Sequence, residues 1–400
     1  MGVLQVANIN FESTGNTQIR HAGSNTVQIT AGGSNTFVAN STVVQLSGTT
    51  VAANSTTLAV GANVIVSTTA VSVNGNNISP YTGMKNRIIN GAMQIWQRST
   101  SAAMTTSASY VAVDRWGVDQ ATSAAATLSQ STSVPTAIAQ YSAKVQRNSS
   151  STGTNNIVIA QALETVNSYD LAGQSVTLSF YAKAGANFSA SSNTLYFNIF
   201  WGQGTDQSLA SMRNNGWTGI TNSSSSVTLT TTWTLYTFTA SCPAGTTQVG
   251  LQFYFSPSGT AGADDAFYIT GVQLELGSVA TPFERRLYGY ELALCQRYYF
   301  KTNDVGSVGT TGGPIVGVGS SGNGCIVCGF RLPVQMRTNP TWTFTSFNGT
   351  SGVWSNSANN NDTASATING SSASGFQQVI VSGLTTGQPY YAYGNASAEL

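Results

Sequence analysis

Residues 21 to 84 contain no Asp, Glu, Lys or Arg, yet they alternate apolar and small polar side chains. Thr26-Val27-Gln28-Ile29, Thr36-Phe37-Val38, Val43-Val44-Gln45-Leu46, Leu58-Ala59-Val60, Val64-Ile65-Val66 and Val71-Ser72-Val73 carry the two-residue period of β-strands. Strands this short, with apolar residues this small, cannot enclose a core of their own, and a bare strand edge is a template for pairing. Other copies of the chain are expected to cover them. Gly23-Ser24-Asn25-Thr26 recurs as Gly33-Ser34-Asn35-Thr36, and Ala39-Asn40-Ser41-Thr42 as Ala53-Asn54-Ser55-Thr56. Each spacing suits one short strand plus a Gly/Asn corner, because both residues tolerate the left-handed backbone of a tight turn. The expectation for 21–85 is a trimeric β-shaft, preceded at 1–20 by an attachment cap that carries Glu12 and Arg20.

The 400-residue chain has only 7% charged residues, whereas a soluble domain carries about 25%. Solubility must come from Ser, Thr, Asn, Gln and Gly. A formal charge of +1 offers no electrostatic footprint for nucleic acid or an anionic membrane. Low charge can mean disorder, but 41% hydrophobic and 10% aromatic residues supply enough apolar surface to offset ordering entropy. No basic n-region with an apolar run opens the sequence, and no segment approaches the roughly 20 apolar residues of a membrane span. The chain is expected to lack membrane insertion and a standard export signal. Cys242, Cys295, Cys325 and Cys328 are therefore expected as buried reduced thiols.

Composition shifts after Asn76-Asn77-Ile78-Ser79-Pro80, where larger aromatics and the first charges begin. Residues 86–283 read as an antiparallel β-sandwich, with alternation in Ser175–Tyr181, Thr194–Phe200, Trp233–Phe238, Gln248–Tyr254 and Ala266–Ile269. Charge returns between Glu275 and Lys301. Leu287, Glu291, Leu294 and Tyr298 recur at helical spacing, so a hinge with a short helix around Tyr288 to Gln296 is expected within 284–301. Residues 302–400 are rich in Gly, Ser, Asn and Thr and carry further strands, ending in Tyr390-Tyr391-Ala392-Tyr393. The fold class is all-β throughout.

Three stretches resemble bacteriophage tail fibre proteins: Asn86-Arg87-Ile88-Ile89-Asn90-Gly91-Ala92-Met93-Gln94-Ile95-Trp96-Gln97-Arg98 with Asp114-Arg115-Trp116; Gly271 through Arg286 (GVQLELGSVATPFERR); and Glu291 through Tyr299 (ELALCQRYY). The sandwich they frame looks like a carbohydrate-binding module, of jelly-roll type. The resemblance implies a homotrimeric virion fibre, made in the host cytoplasm, whose N-terminal region joins a tail or baseplate protein. Its C-terminal part would face the host and bind cell-surface polysaccharide.

The only histidine is His21, which removes Ser-His-Asp and Cys-His catalysis and histidine-rich metal sites. Cys325-Ile326-Val327-Cys328 has C-x-x-C spacing but no second ligand pair, and its β-branched interior reads as a strand. Asp264-Asp265 after a Gly/Ser loop is a calcium candidate, weighed against plain turn capping. No catalytic residue and no other cofactor is expected. Aromatics are the better lead, since a sugar offers an apolar C–H face to a ring and hydroxyls to amides. The candidates are Trp201, Trp217, Trp342, Trp354, Tyr390, Tyr391 and Tyr393. The expected function is host adsorption by polysaccharide binding without catalysis. Its rivals are a tailspike-type depolymerase, which needs paired carboxylates, and a passive baseplate or fibre spacer.

Overall fold

The computed structural model describes residues 84–120, 125–135, 138–302, 314–320, 325–357, 362, 363, 365–381 and 384–400, together with the backbone of seven short strands between 18 and 78. These strands are β1 (Gln18–His21), β2 (Val27–Ala31), β3 (Ser34–Asn35), β4 (Thr57–Val60), β5 (Val64–Ser67), β6 (Val71–Val73) and β7 (Asn76–Ile78). They form two small sheets of order β1-β2-β3 and β4-β5-β6-β7, in which β1/β2, β2/β3 and β6/β7 pair antiparallel. The expected trimeric shaft at 21–85 and attachment cap at 1–20 lie otherwise outside the described residues.

Two packed antiparallel sheets follow, and the chain is all-β as expected. One sheet has the order β16-β13-β18-β11-β10-β8, from β8 (Ser101–Ala103), β10 (Ala126–Ser131), β11 (Ser142–Arg147), β13 (Ser175–Ala184), β16 (Thr234–Ser241) and β18 (Ala266–Leu276). The other has the order β15-β14-β17-β12-β9, from β9 (Gly117–Gln120), β12 (Ile157–Ala162), β14 (Thr194–Gly202), β15 (Thr221–Thr228) and β17 (Gln248–Phe255). Strict alternation fixes which face is inside. Leu195, Phe197, Ile199 and Trp201 of β14 point into the sandwich with Val249, Leu251, Phe253 and Phe255 of β17. Phe180, Phe197, Phe238 and Phe253 meet edge to face at ring separations of 4.8–5.4 Å, a geometry that adds to simple burial. A bulge shifts the β13/β18 register between Ser179 and Tyr181. Opposite it Gly271 takes φ +62°, where a Cβ would also press on the Tyr181 ring at 3.1 Å.

The terminal region forms a third sheet, β19-β26-β20-β21-β25-β24, with β22 and β23 also paired to β26. Its strands are β19 (Tyr299–Lys301), β20 (Ile315–Ser320), β21 (Cys325–Arg331), β22 (Thr341–Thr345), β23 (Ser355–Asn356), β24 (Thr367–Asn369), β25 (Gly375–Ile380) and β26 (Pro389–Ser397). Ile326, Phe344, Trp354, Phe376 and Tyr390 make its core.

The three stretches that resemble tail fibre proteins meet at one seam. The helix expected around Tyr288 to Gln296 is α2 (Tyr288–Gln296) in the structure; the five-residue α1 (Leu209–Arg213) precedes it in the sandwich. Asn90 sits at φ +56° and spends its whole hydrogen-bonding capacity locally. Its Nδ2 donates to the carbonyls of Ile95 and Asp114, its Oδ1 accepts from the Gln94 and Ile95 amides, and its own amide donates to Glu291 of α2 at 2.5 Å. Arg286 reaches the carbonyls of Asn86 and Ile88, and Arg297 grips Glu164 at 2.8 and 2.9 Å. Arg98 bridges Asp114 (2.9 Å) and Glu399 (2.8 Å), while buried Arg115 also bonds Glu399 and sits over the Tyr298 ring, 3.5 Å from its centroid. The segment 284–301 is thus tied to the sandwich by Arg297–Glu164 and to the terminal sheet by the pairing of β19 with β26, while the buried pairs of Arg98 and Arg115 with Glu399 join the sandwich directly to the end of the chain. Cys295 is a free thiol within this seam, Cys242 another in the sandwich, and burial pushes both thiols upward.

Burial, opposed by the Arg98 guanidinium and the Gln97 amide, raises the Asp114 carboxyl to about 6. A carboxyl raised on folding stabilises most below its unfolded value, and that contribution is lost as pH rises through the folded one. Between about pH 4 and pH 7 the wild type should therefore lose on the order of 3 kcal/mol relative to Asp114→Asn. Urea unfolding of both proteins across that range measures it. A flat difference would mean that Arg98 keeps the carboxyl ionised throughout.

Candidate functional site

The outward positions of the five-stranded sheet carry the best-formed polar surface among the described residues. They are out of phase with the core. In β14 these are Tyr196, Asn198 and Phe200; in β17, Gly250, Gln252 and Tyr254; in β15, Asn222, Ser224 and Ser226. Register aligns Ser226, Tyr196, Tyr254, Val158 and Asp119 in one row across five strands, and Ser224, Asn198, Gln252, Ala160 and Gly117 in the next.

Half of this face is covered. Ser208 caps α1 by accepting from the Ser211 amide at 3.1 Å, and Leu209 and Met212 turn onto the sheet with Phe200 and Trp217. Close approach requires Gly250, where a Cβ would lie 2.2 Å from the Met212 sulfur and 3.0 Å from the Trp217 ring. Arg213, in the last turn, then reaches over the open half. It bonds Asp119 at 2.6 and 3.2 Å and Gln252 at its other nitrogen. Gln252 donates to Asn198 at 2.7 Å, and Asn198 to Asn222 at 3.3 Å. The result is a polar ladder from β9 to β15.

Beside the ladder, Tyr196 and Tyr254 stack at 5.2 Å with an interplanar angle of 17°. Tyr196 is 38% exposed. Burial, together with charge repulsion from the Tyr196 phenol, raises the Tyr254 phenol above its ordinary value against the pull of Arg213, so it stays a neutral hydrogen-bond donor. Past Asp119 the row opens into a cleft of about 550 Å³ lined by Thr106, Gln120, Asn155, Asn156 and Arg213. Chemically, the face offers a flat aromatic pair, amides of fixed orientation and an edge of exposed serines.

Sequence reasoning missed these residues, although a signal existed: a Tyr or an amide at alternate positions of two strongly apolar strands. The aromatic candidates fall elsewhere. Trp201 and Trp217 are 2% and 3% exposed, with indole nitrogens donating to Ser223 and to the Ser208 carbonyl. Trp354, Tyr390 and Tyr393 are 0%, 3% and 5% exposed. These five rings fill the cores and present no free face, because their positions are in phase with apolar neighbours or packed between elements. Trp342 and Tyr391 are half-buried; Trp342 lies edge-on to Phe376 at 4.9 Å and Tyr391 to Phe347 at 5.8 Å. The calcium candidates are engaged by donors. Asp264 accepts from Lys144 (2.8 Å), the Tyr268 hydroxyl (2.9 Å) and the Ala186 amide, while Asp265 is fully buried against Arg147 and Ser189. Among the described residues no three His, Cys, Asp or Glu side chains group to hold a metal. Among them, too, no helix is long and apolar enough to cross a membrane.

No protein-family model matches the chain, and no curated protein matches it. Solved structures similar to it include the enzymatically active domain of tailspike protein 4 from bacteriophage CBA120, at 17% identity and TM-score 0.31, covering 50% of this chain and 22% of that one. Also similar are a CBM4 structure, at 18% identity and TM-score 0.27 over 47% of this chain and 98% of that one, and TmCBM61 in complex with β-1,4-galactotriose, at 13% and 0.30 over 48% and 99%. At TM-scores this low the likeness transfers neither activity nor ligand to this chain.

Proposed function

We propose that the protein binds glycans through the open half of the five-stranded sheet, and that it does so as the homotrimeric adsorption fibre of a phage tail. The stacked Tyr196/Tyr254 pair beside the Asp119-Arg213-Gln252-Asn198-Asn222 ladder carries this reading. A sugar ring lays its C–H face on the tyrosines, and its hydroxyls meet amides already held in place, so little rotamer entropy is lost on binding. Trimeric presentation would raise weak contacts to useful avidity. Binding without cleavage is the reading we favour for the cleft, where among the described residues Asp119 is the only lining carboxylate and is paired with Arg213, whereas glycoside hydrolysis uses two carboxyls. The tail or baseplate partner falls to the N-terminal region.

Two measurements test this reading. Light scattering should give about three times the 41.6 kDa chain mass, and a stable folded monomer would remove the fibre. Incubation with host envelope polysaccharide should retain the protein on the polymer and leave its chain length unchanged. Progressive shortening that vanishes in Asp119→Asn would instead establish the depolymerase.

A further inference from the structure

The first turn of α2 is laid bare. Leu287, Tyr288 and Tyr290 are 84%, 61% and 40% exposed, and beside them Met84 is 59% exposed, with the Tyr290 hydroxyl donating to its sulfur at 2.8 Å. Single apolar side chains on a surface need no explanation, but a contiguous group of large ones marks a place of contact. Tyr, Met and Arg are also the residues enriched in protein interfaces, and Arg285 is exposed next to the group.

The helix end is unfinished as well. Leu287 takes the extended N-cap backbone, φ −60° and ψ 141°, and its side chain has nothing to offer the first-turn amides. An N-cap in water is ordinarily Ser, Thr, Asp or Asn, and Leu is among the poorest choices. The surface is nonetheless firm, because Glu284 accepts the Lys85 and Asn86 amides at 3.2 and 2.9 Å and so holds the chain beside Met84 in place. Little freedom is left to lose on docking.

The path of the chain names the occupant. At no more than about 3.5 Å per residue, the stretch from Ile78, the end of β7, to Met84 reaches roughly 20 Å. Copies joined through their N-terminal strands would hold their sandwiches on tethers that short, and the surface around Met84 is the first that neighbours meet. We infer that the first turn of α2, with Met84, packs against the same turn of its neighbours around a threefold axis. This contact rests on the trimeric reading above and locates where the sandwiches touch.

The test uses the full chain. Leu287→Asp supplies the missing N-cap, so on a free surface it should leave stability unchanged or raise it. At the inferred contact it brings three carboxylates together, and light scattering on dilution should show trimers dissociating at a concentration at least about tenfold higher. Tyr288→Cys gives a second readout: a bifunctional maleimide should join copies of this variant above the wild-type level, since Cys242 and Cys295 are buried. Where trimers do not dissociate on dilution, the cross-link decides alone. A dissociating trimer that Leu287→Asp leaves unchanged, or a trimer that stays unjoined at Tyr288→Cys, overturns the inference and leaves the trimeric reading intact. A wild-type monomer overturns both.

Discussion

Glu399→Gln should destabilise the protein by about 3 to 5 kcal/mol, the range for removing one partner of a buried ion pair. The Glu399 side chain is 8% exposed and lies between Arg98 at 9% and Arg115 at 1%. Arg98 would keep Asp114, but Arg115 would lose its carboxylate partner: the amide that replaces it offers one neutral oxygen to two guanidiniums, beside the Ala162 carbonyl and the Tyr298 and Tyr110 rings. Proximity to the Glu399 carboxylate holds the Arg115 guanidinium pKa above its ordinary value against burial. Urea unfolding of the two proteins measures the loss, and a change below about 1 kcal/mol would mean that water reaches the seam. The same contact bears on any attempt to dissect the chain. Removing residues 302–400 takes away Glu399 and all of β26, the partner of β19, so a fragment ending at Lys301 would expose Arg115. Loss of binding in it would report on the seam before it reported on a receptor site.

The largest functional effect should come from the tyrosine pair. Tyr254→Ala removes the half-buried ring against which Tyr196 stacks, and the double variant removes the platform. Each lost stack is expected to weaken polysaccharide binding by about 1 to 3 kcal/mol, if sugars stack as bases do, so the double variant should bind at least about thirtyfold more weakly. The melting temperature should fall little, because both rings lie on the outer face, away from the Phe180/Phe197/Phe253 core. Tyr254→Phe should retain most of the affinity, since ring area and not the hydroxyl makes the stack. Full affinity in the double variant would move recognition off the tyrosine face.

Alternation made most of the sandwich legible. Leu195, Phe197 and Ile199, or Leu251, Phe253 and Phe255, announce a strand and its inner face, since a pleated strand sends successive side chains to opposite sides. The same rule marks Tyr196, Asn198, Gln252 and Tyr254 as outward. It cannot mark them as adjacent, because pairing of β14 with β17 joins residues more than fifty positions apart. Tryptophan content misled for a related reason. Trp201 and Trp354 stand out in composition, but a large indole buries more apolar area than any other side chain and is drawn into the core wherever backbone direction allows. Helical spacing located α2, but not its role as a buried strut, which depends on Glu291 meeting the Asn90 amide.

By itself, then, the sequence determined the all-β class, the sandwich strands with their inner and outer faces, and the short helix, because propensity and periodicity are local properties. Tertiary structure alone decided that three distant stretches form one ion-paired seam around Asn90 and Arg115, and that α1 covers half of one sheet and leaves a tyrosine platform on the other half. It also decided that β22 and β23 both pair with β26. Each of these depends on contacts between residues far apart in the chain, and a local pattern carries no record of which distant edge, charge or ring it will meet.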